Sequence, residues 1–294
     1  MNNINNDSGR IINKDDLVTV TQMGHITEVQ YLEHRNLHAA IRKINADEYV
    51  VLATGEVKQF AKSENRADNK NSLRQTFKKL RYLINNNFTG QSNELFITLT
   101  YAENMTDHRQ LGKDFKNFMH RLQTKLKNKN IEYIRVSEPQ GRGAWHLHVL
   151  LKGVPFLENE MLRKIWGYGF VRINKIQGVD NIGSYLTAYL SDMPLDEFTG
   201  GADKNLDVVE KLTETGTKKI VKGGRLHLYP SGMNYYAKSK GMKYPERKNM
   251  RYYKLFKGTK KDNLGKLSFE KNIEFTTSDG FTNFIRYEQY NTKR

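Results

Sequence analysis

Hydrophobic and polar positions follow two different periods along the chain, and each change of period marks the boundary of a predicted element. Apolar or alternating runs rich in β-branched and aromatic residues predict strands at residues 48–52, 56–60, 95–101, 131–137, 145–151 and 169–176. Apolar residues three and four apart predict helices at residues 72–86, 107–127, 157–166 and 180–191. Asp107 is the expected N-cap of the second helix, and the first two strands predict a hairpin around Ala53-Thr-Gly55.

A Gly-rich turn at residues 141–143 separates the strand at 131–137 from the strand that begins at Trp145, which predicts an antiparallel hairpin. Because side chains alternate faces along a strand, His146 and His148 point the same way. Glu138, eight residues before His146, ends the preceding strand and can lie beside both imidazoles.

Two imidazoles and a carboxylate with open coordination positions suit Mg²⁺ or Mn²⁺ acting as a Lewis acid on a phosphate. Gln140 is a rival or additional ligand if the strand continues to it. Taken singly, each of these residues has an ordinary alternative: packed or solvated histidines, and a solvated carboxylate at the mouth of a hairpin.

Tyr185 and Tyr189 are four residues apart in the last predicted helix, so their hydroxyls project from one face about one turn apart. Leu186 and Leu190 form a parallel apolar stripe that would anchor this helix to a core. Such tyrosine pairs are most often simple packing. A phenolate is also a covalent nucleophile toward phosphate, which keeps a catalytic interpretation open.

The alternation of strands and helices around a central antiparallel hairpin predicts an α+β fold, a split βαβ antiparallel sheet with helices on its faces. We divide the chain into three regions. Residues 1–93 form an N-terminal region with a hairpin and a basic helix, residues 94–195 form the core that carries the histidines and tyrosines, and residues 196–294 form a basic, aromatic-rich C-terminal region expected to contact DNA.

The charge balance favours a polyanionic partner. Lys and Arg total 48 against 32 Asp and Glu, a net charge of +16 with a pI near 9.7, which suits nucleic acid or an anionic membrane surface. Residues 217–261 hold fourteen of these cations and one acid, interleaved with tyrosines. Cations that neutralise phosphates beside aromatic faces are typical of proteins that bind single-stranded nucleic acid. The alternative is a solvated basic face.

Other classes are disfavoured by composition. Mean hydropathy is −0.74, and no apolar run approaches the roughly 20 residues that span a bilayer. The N-terminus lacks the pattern of a secretory signal, so we expect a cytoplasmic protein without a membrane partner. The absence of cysteine excludes disulfides and thiolate metal sites.

Three features in order resemble the motifs of rolling-circle replication initiators of the HUH endonuclease superfamily. They are the apolar strand ending Thr98-Leu-Thr-Tyr101, the Glu138…His146-Leu-His148 hairpin and the tyrosine helix. The paired tyrosines most resemble initiators of single-stranded DNA phages of the gene II and gene A types. This resemblance covers residues 94–195, and residues 222–232 resemble a segment of related proteins from plasmids and mobile elements of Gram-positive bacteria.

The resemblance implies an HUH endonuclease fold, with an RRM-like or ferredoxin-like sheet, and an enzyme that starts rolling-circle replication. It implies metal-dependent, site-specific nicking and strand transfer, with Tyr185 or Tyr189 forming a 5′-phosphotyrosyl intermediate and Mg²⁺ or Mn²⁺ held by His146, His148 and Glu138. The implied partners are single-stranded or extruded hairpin origin DNA and a host DNA polymerase. No GxxxxGK[ST] motif occurs, so unwinding would need a separate host helicase.

Tyrosine helices of this type often carry a lysine three residues after a tyrosine, whereas this chain has Ala188 and Asp192 there. A cation at that position would stabilise developing phosphoryl charge, and Lys175 or a basic residue of the C-terminal region is the expected substitute. The expected DNA-contacting residues are Lys175, Arg225, Tyr229, Lys238 and Lys240.

Two other functions remain open. The first is a mobilisation relaxase or single-strand transposase of the same superfamily, which shares the chemistry. The second is a non-catalytic regulator that binds an origin on the same scaffold, an alternative that the missing lysine keeps in view.

Overall fold

The computed structural model describes residues 4–5, 10–35, 40–45, 47–60, 70–141, 143–198, 208–213, 216–221, 223–230, 233–257, 264–277 and 280–294. These residues form a mixed α+β structure with four α-helices and antiparallel sheets. The helices are α1 (Lys70–Asn87), α2 (Gln110–Leu126), α3 (Asn159–Trp166) and α4 (Ile182–Ser191).

The strands fall into four sheets. The first nine strands are β1 (Ile4–Asn5), β2 (Leu17–Met23), β3 (Ile26–Leu32), β4 (Ile41–Lys43), β5 (Glu48–Val51), β6 (Val57–Gln59), β7 (Glu94–Tyr101), β8 (Glu132–Pro139) and β9 (Trp145–Lys152). The others are β10 (Gly169–Asn174), β11 (Met193–Pro194), β12 (Val208–Thr213), β13 (Gly216–Val221), β14 (Tyr236–Lys238), β15 (Arg247–Arg251), β16 (Lys266–Thr276) and β17 (Thr282–Asn291).

The chain forms two compact units. The terminal unit combines Met1–Glu64 with Glu246–Arg294, and the central unit is Asn65–Pro245. The terminal unit holds a six-stranded sheet in the order β1-β16-β17-β3-β2-β15 and a three-stranded sheet β4-β5-β6. Its core includes Val18, Val20 and Val29, which the pairing of β2 with β3 brings together.

The central unit is built on a five-stranded antiparallel sheet in the order β10-β7-β9-β8-β14, accompanied by a small sheet β11-β13-β12. Alternation along β7 sends Leu95, Ile97 and Leu99 to one face, where they form a core with the apolar sides of α2 and α3. Phe96 points to the opposite face, whose core is completed by residues of α1 and α4. The sheet is therefore covered by helices on both faces.

Most elements predicted from periodicity are confirmed, including the hairpin β5–β6, the four helices and the antiparallel hairpin β8–β9. Asp107 is not the N-cap of α2. Its side chain accepts a hydrogen bond from the backbone N–H of Arg109 (2.8 Å) in a turn that precedes the helix, which begins at Gln110. In the part of the chain that the structure describes, no helix is both long and apolar enough to cross a bilayer.

The compact units do not coincide with the three regions defined from the sequence. Strands from both ends of the chain share one sheet, and α1 lies in the same unit as the histidine hairpin. The division at residues 93 and 195 followed the motifs and the charge, so it remains a prediction about where function resides.

Gly183 allows α4 to approach α1 closely. A Cβ at this position would lie 2.6 Å from the carbonyl oxygen of Arg81 and 2.8 Å from Oδ1 of Asn85. Gly112 in α2 is the matched control, because a Cβ there would meet no atom of the described residues within 4 Å.

We predict that Gly183→Ala lowers the free energy of unfolding by about 1–3 kcal/mol, because the two helices must separate to relieve overpacking. Gly112→Ala should instead raise it by up to about 1 kcal/mol, because alanine favours an unstrained helix. Both tryptophans, Trp145 and Trp166, lie in the central unit, so urea unfolding followed by their fluorescence reports on this unit. Equal effects of the two substitutions would contradict the close approach.

Candidate active site

The β8–β9 hairpin brings Glu138 and the two histidines together. In its antiparallel register Glu138 lies opposite His146, and Val136 lies opposite His148. Alternation therefore places Glu138, His146 and His148 on one face of the sheet. Nε2 of His148 contacts Oε2 of Glu138 diagonally across the hairpin.

A second polar layer orients His148 from the neighbouring strand. Its Nδ1 lies 3.2 Å from Oγ1 of Thr98 on β7, and the Asn174 side chain on β10 donates a hydrogen bond to the same oxygen (3.0 Å). The hydroxyl oxygen has two lone pairs, so it can accept from both groups. This arrangement favours a proton on Nδ1 and directs Nε2 toward Glu138.

Glu138 is a buried carboxylate with a cationic partner on each oxygen. Its side chain is 10% exposed, Oε2 contacts His148 and Oε1 lies 2.9 Å from Nε of Arg225. Burial by itself raises the pKa of this carboxyl group. The hydrogen bond from His148 and the charges of His148, Arg225 and His146 lower it further than burial raises it, so the pKa of Glu138 lies below its usual range. The group is therefore ionised at neutral pH.

Gln140 closes the loop of the hairpin. Its backbone N–H donates to the carbonyl oxygen of Ala144 (2.7 Å), and its carbonyl oxygen accepts from the N–H of Gly143 (2.8 Å). The side-chain oxygen Oε1 is buried, and no described residue donates a hydrogen bond to it. A buried acceptor of this kind is costly to leave unsatisfied, which makes it a candidate for binding a ligand.

The described residues contain no group of three or more His, Asp or Glu side chains that converge closely enough to hold a metal ion as they stand. Glu138 and His148 contact each other directly, and Arg225 occupies the other carboxylate oxygen. The arrangement is therefore a polar pair with a second imidazole beside it.

The tyrosine helix α4 packs on the same face of the sheet as the histidines. Ile182 and Leu186 form a core with Phe96, Val136 and Leu150, which share this face by alternation. Tyr185 is 38% exposed. The side chain of Tyr189 lies outside the described part of the chain, whereas its backbone belongs to α4.

The start of α4 is tied to α1 through two asparagines. Asn181 caps the helix by accepting a hydrogen bond from the N–H of Ser184 (2.9 Å). Asn85, which is buried in α1, donates to Asn181 (2.9 Å) and accepts from the N–H of Gly183 (2.8 Å). These bonds fix the position of α4 along the sheet.

The expected DNA contacts differ in their placement. Lys175 and Lys240 are exposed, whereas Lys238 donates to the carbonyl oxygen of Met242 (2.8 Å). Arg225 and Tyr229 are only 8% and 4% exposed. The Tyr229 hydroxyl donates to the carbonyl oxygen of Ser137 (3.0 Å) and its ring packs edge-on against Trp145. These two side chains are interior groups, since their position favours a structural role over contact with DNA.

The excess positive charge lies mainly in the unit that holds the histidines. The central unit contains 29 Lys and Arg against 17 Asp and Glu, a balance of +12, and the terminal unit contains 19 against 15, a balance of +4. The basic segment 217–261 noted in the sequence is divided between both units.

Sequence reasoning missed Thr98, Asn174 and Asn85 as supporting residues. Thr98 interrupts an otherwise apolar strand, and this signal could have marked it as facing the histidines. Asn174 and Asn85 carry no comparable signal, because their partners are distant in sequence.

Comparison with known proteins gives one match. Residues 94–194 match the model of a family of replication-associated proteins, described as the ORF2 and gene II protein type, which supports a rolling-circle replication initiator family. No curated protein and no solved structure matches the chain significantly. The matched segment contains the histidine hairpin, the tyrosine helix and Thr98.

We predict that Thr98→Val releases His148 from its fixed orientation. Loss of the Oγ1 acceptor should change the ring ¹⁵N chemical shifts of His148 in metal-free protein and lower the free energy of unfolding by about 0.5–1.5 kcal/mol. Thr100→Val is the control, because Thr100 lies on the same strand opposite His146. Shifts of His148 that are unchanged in Thr98→Val, or equally changed in Thr100→Val, would argue against the bond.

Proposed function

We propose that this protein is a site-specific DNA nickase and strand transferase that initiates rolling-circle replication, with a tyrosine of α4 as nucleophile. One observation carries the proposal. Glu138, His146 and His148 share the sheet face against which the tyrosine helix packs. The match of residues 94–194 to replication-associated proteins supports the same conclusion.

We also infer that the central unit has the HUH endonuclease fold. The histidine strand β9 lies between β7 and β8, at the centre of a five-stranded antiparallel sheet with helices on both faces. A central strand is paired along both edges, and this restricts the movement of the side chains that it carries. This position supports a role for the histidines that requires a fixed geometry.

The residues of this site fit a divalent cation by their donor chemistry. Two imidazole nitrogens and an ionised carboxylate are typical ligands, and the buried Oε1 of Gln140 is an oxygen acceptor that the described residues leave unsatisfied. We assign His146, His148 and Glu138 as the ligands of Mg²⁺ or Mn²⁺, with Gln140 as the additional candidate. When bound, the cation would polarise a non-bridging oxygen of the scissile phosphate.

The chemistry that we assign to α4 is a transesterification. The phenolic oxygen of Tyr185 or Tyr189 bonds to phosphorus and loses its proton, while the bond from phosphorus to the 3′ oxygen breaks and that oxygen takes up a proton. The products are a 5′-phosphotyrosyl ester and a free 3′-hydroxyl, which can prime a host polymerase. The second tyrosine can attack the regenerated junction, so that ligation needs no external energy source.

The proposed substrate is single-stranded or extruded hairpin DNA at an origin. The balance of +12 in the central unit supports attraction of a polyanion to the unit that holds the histidines and tyrosines. Exposed Lys175 follows β10, the strand that supplies Asn174 to the layer behind His148. We infer that Lys175 contacts the backbone of the bound strand and stands in for the cation that α4 lacks.

We predict that the purified protein forms a covalent adduct with single-stranded oligonucleotides that tile both strands of the DNA flanking its gene, in the presence of Mn²⁺. The Tyr185→Phe/Tyr189→Phe variant should form no adduct, because no phenolic nucleophile remains in α4. The adduct is measured as a band of reduced mobility in denaturing gels. The single variants would show which tyrosine attacks first.

Tyr168→Phe is the matched control, because Tyr168 belongs to the central unit but precedes β10 outside the tyrosine helix. It should form the adduct as the natural protein does. Binding of an oligonucleotide without any adduct would favour the non-catalytic origin-binding regulator. An adduct that persists in the double variant would place the nucleophile elsewhere.

We predict that Mn²⁺ stabilises the protein through the two histidines. At a concentration about 100-fold above its dissociation constant, Mn²⁺ should raise the free energy of unfolding by about 2.7 kcal/mol, because it binds only the folded state. His146→Asn/His148→Asn should lose this effect, whereas His120→Asn on the exposed side of α2 should keep it. Tryptophan fluorescence during urea unfolding measures the difference, and equal stabilisation of all three proteins would contradict the assigned ligands.

A further inference from the structure

Arg225 is buried at the meeting point of three segments of the central unit. Its Nη1 donates to the carbonyl oxygen of Pro139 (2.8 Å), and its Nε lies 2.8 Å from the carbonyl oxygen of Asp192 and 2.9 Å from Oε1 of Glu138. Nη2 lies 3.7 Å from the carboxylate of Glu197. One guanidinium group therefore joins the end of β8 to the residue that follows α4.

The two joined segments are those that the proposed reaction needs. Glu138 is the assigned carboxylate ligand, and Asp192 is the C-cap of the tyrosine helix. Because the planar guanidinium presents its donors in a fixed fork, it sets the direction of the carboxylate and the position of the helix end together. A lysine has one compact charged group and cannot reproduce this geometry.

We propose that Arg225 is a positioning residue of this site, which holds the Glu138 carboxylate in place and fixes the C-terminal end of the tyrosine helix against it. The inference rests on the proposed function and adds to it a residue that acts through Glu138 and α4 and does not touch DNA. Its 8% exposure separates it from a phosphate contact, which must be accessible to the substrate.

The kinetic test uses the full chain, Mn²⁺ and an oligonucleotide that the natural protein nicks. Arg225→Lys keeps the charge and loses the fork, so it should lower kcat and the affinity for Mn²⁺, each by about 10–100-fold, with KM for DNA unchanged. Arg163→Lys on the exposed face of α3 is the matched control and should change neither quantity. A rise in KM with a weaker salt dependence and unchanged Mn²⁺ affinity would overturn the proposal in favour of a phosphate contact.

A double-mutant cycle on stability tests the coupling without any activity. The melting temperature of metal-free protein is measured for Arg225→Lys, Glu138→Gln and the double variant. If Arg225 acts on Glu138, the double variant should lose clearly less than the two single losses added together. Additive losses would overturn the pairing. Absence of nicking and of Mn²⁺ binding in the natural protein would instead refute the proposed function, whatever the cycle shows.

Discussion

Glu138 and His146 face each other across the β8–β9 hairpin, and this register decides which side chains meet at the candidate site. A slip of one residue would send the carboxylate to the face that packs against α2 and α3, because side chains alternate. The register is fixed by burial on both sides: Leu147 and Val149 belong to one core, and Val136 and Leu150 to the other. The hydrophobic effect therefore specifies the placement of the polar groups.

The site is held by polar contacts that approach it from distant parts of the chain. Asn85 fixes the start of the tyrosine helix, Arg225 the residue after its end, and Thr98 the ring of His148. In surroundings poor in water such hydrogen bonds are strong and costly to break, so together they hold the reacting groups in place before a substrate arrives. The exposed face of Tyr185 is then the accessible part of an otherwise fixed arrangement.

Local pattern predicted what local physics determines. The hairpin at residues 48–60, the four helices and the histidine strand follow from periodicity and turn residues, and the alternation rule places both histidines on one face. The fates of Arg225 and Tyr229 could not be predicted in this way. A high local charge and a tyrosine suggest contact with DNA, but burial of these side chains depends on β8, which lies about 90 residues earlier. Pairing between the two ends of the chain was equally invisible to a local pattern.

The six-stranded sheet of the terminal unit has a consequence for the timing of synthesis. Strand β3 is complete at Leu32, but its neighbour β17 ends at Asn291, about 260 residues later. At roughly 5–20 residues per second the ribosome needs about 13–50 s to deliver that neighbour. During this interval the nascent β2–β3 hairpin has an open edge, while all strands and helices of the central unit leave the ribosome. The central unit thus has the opportunity to fold while the first strands still wait for their partners.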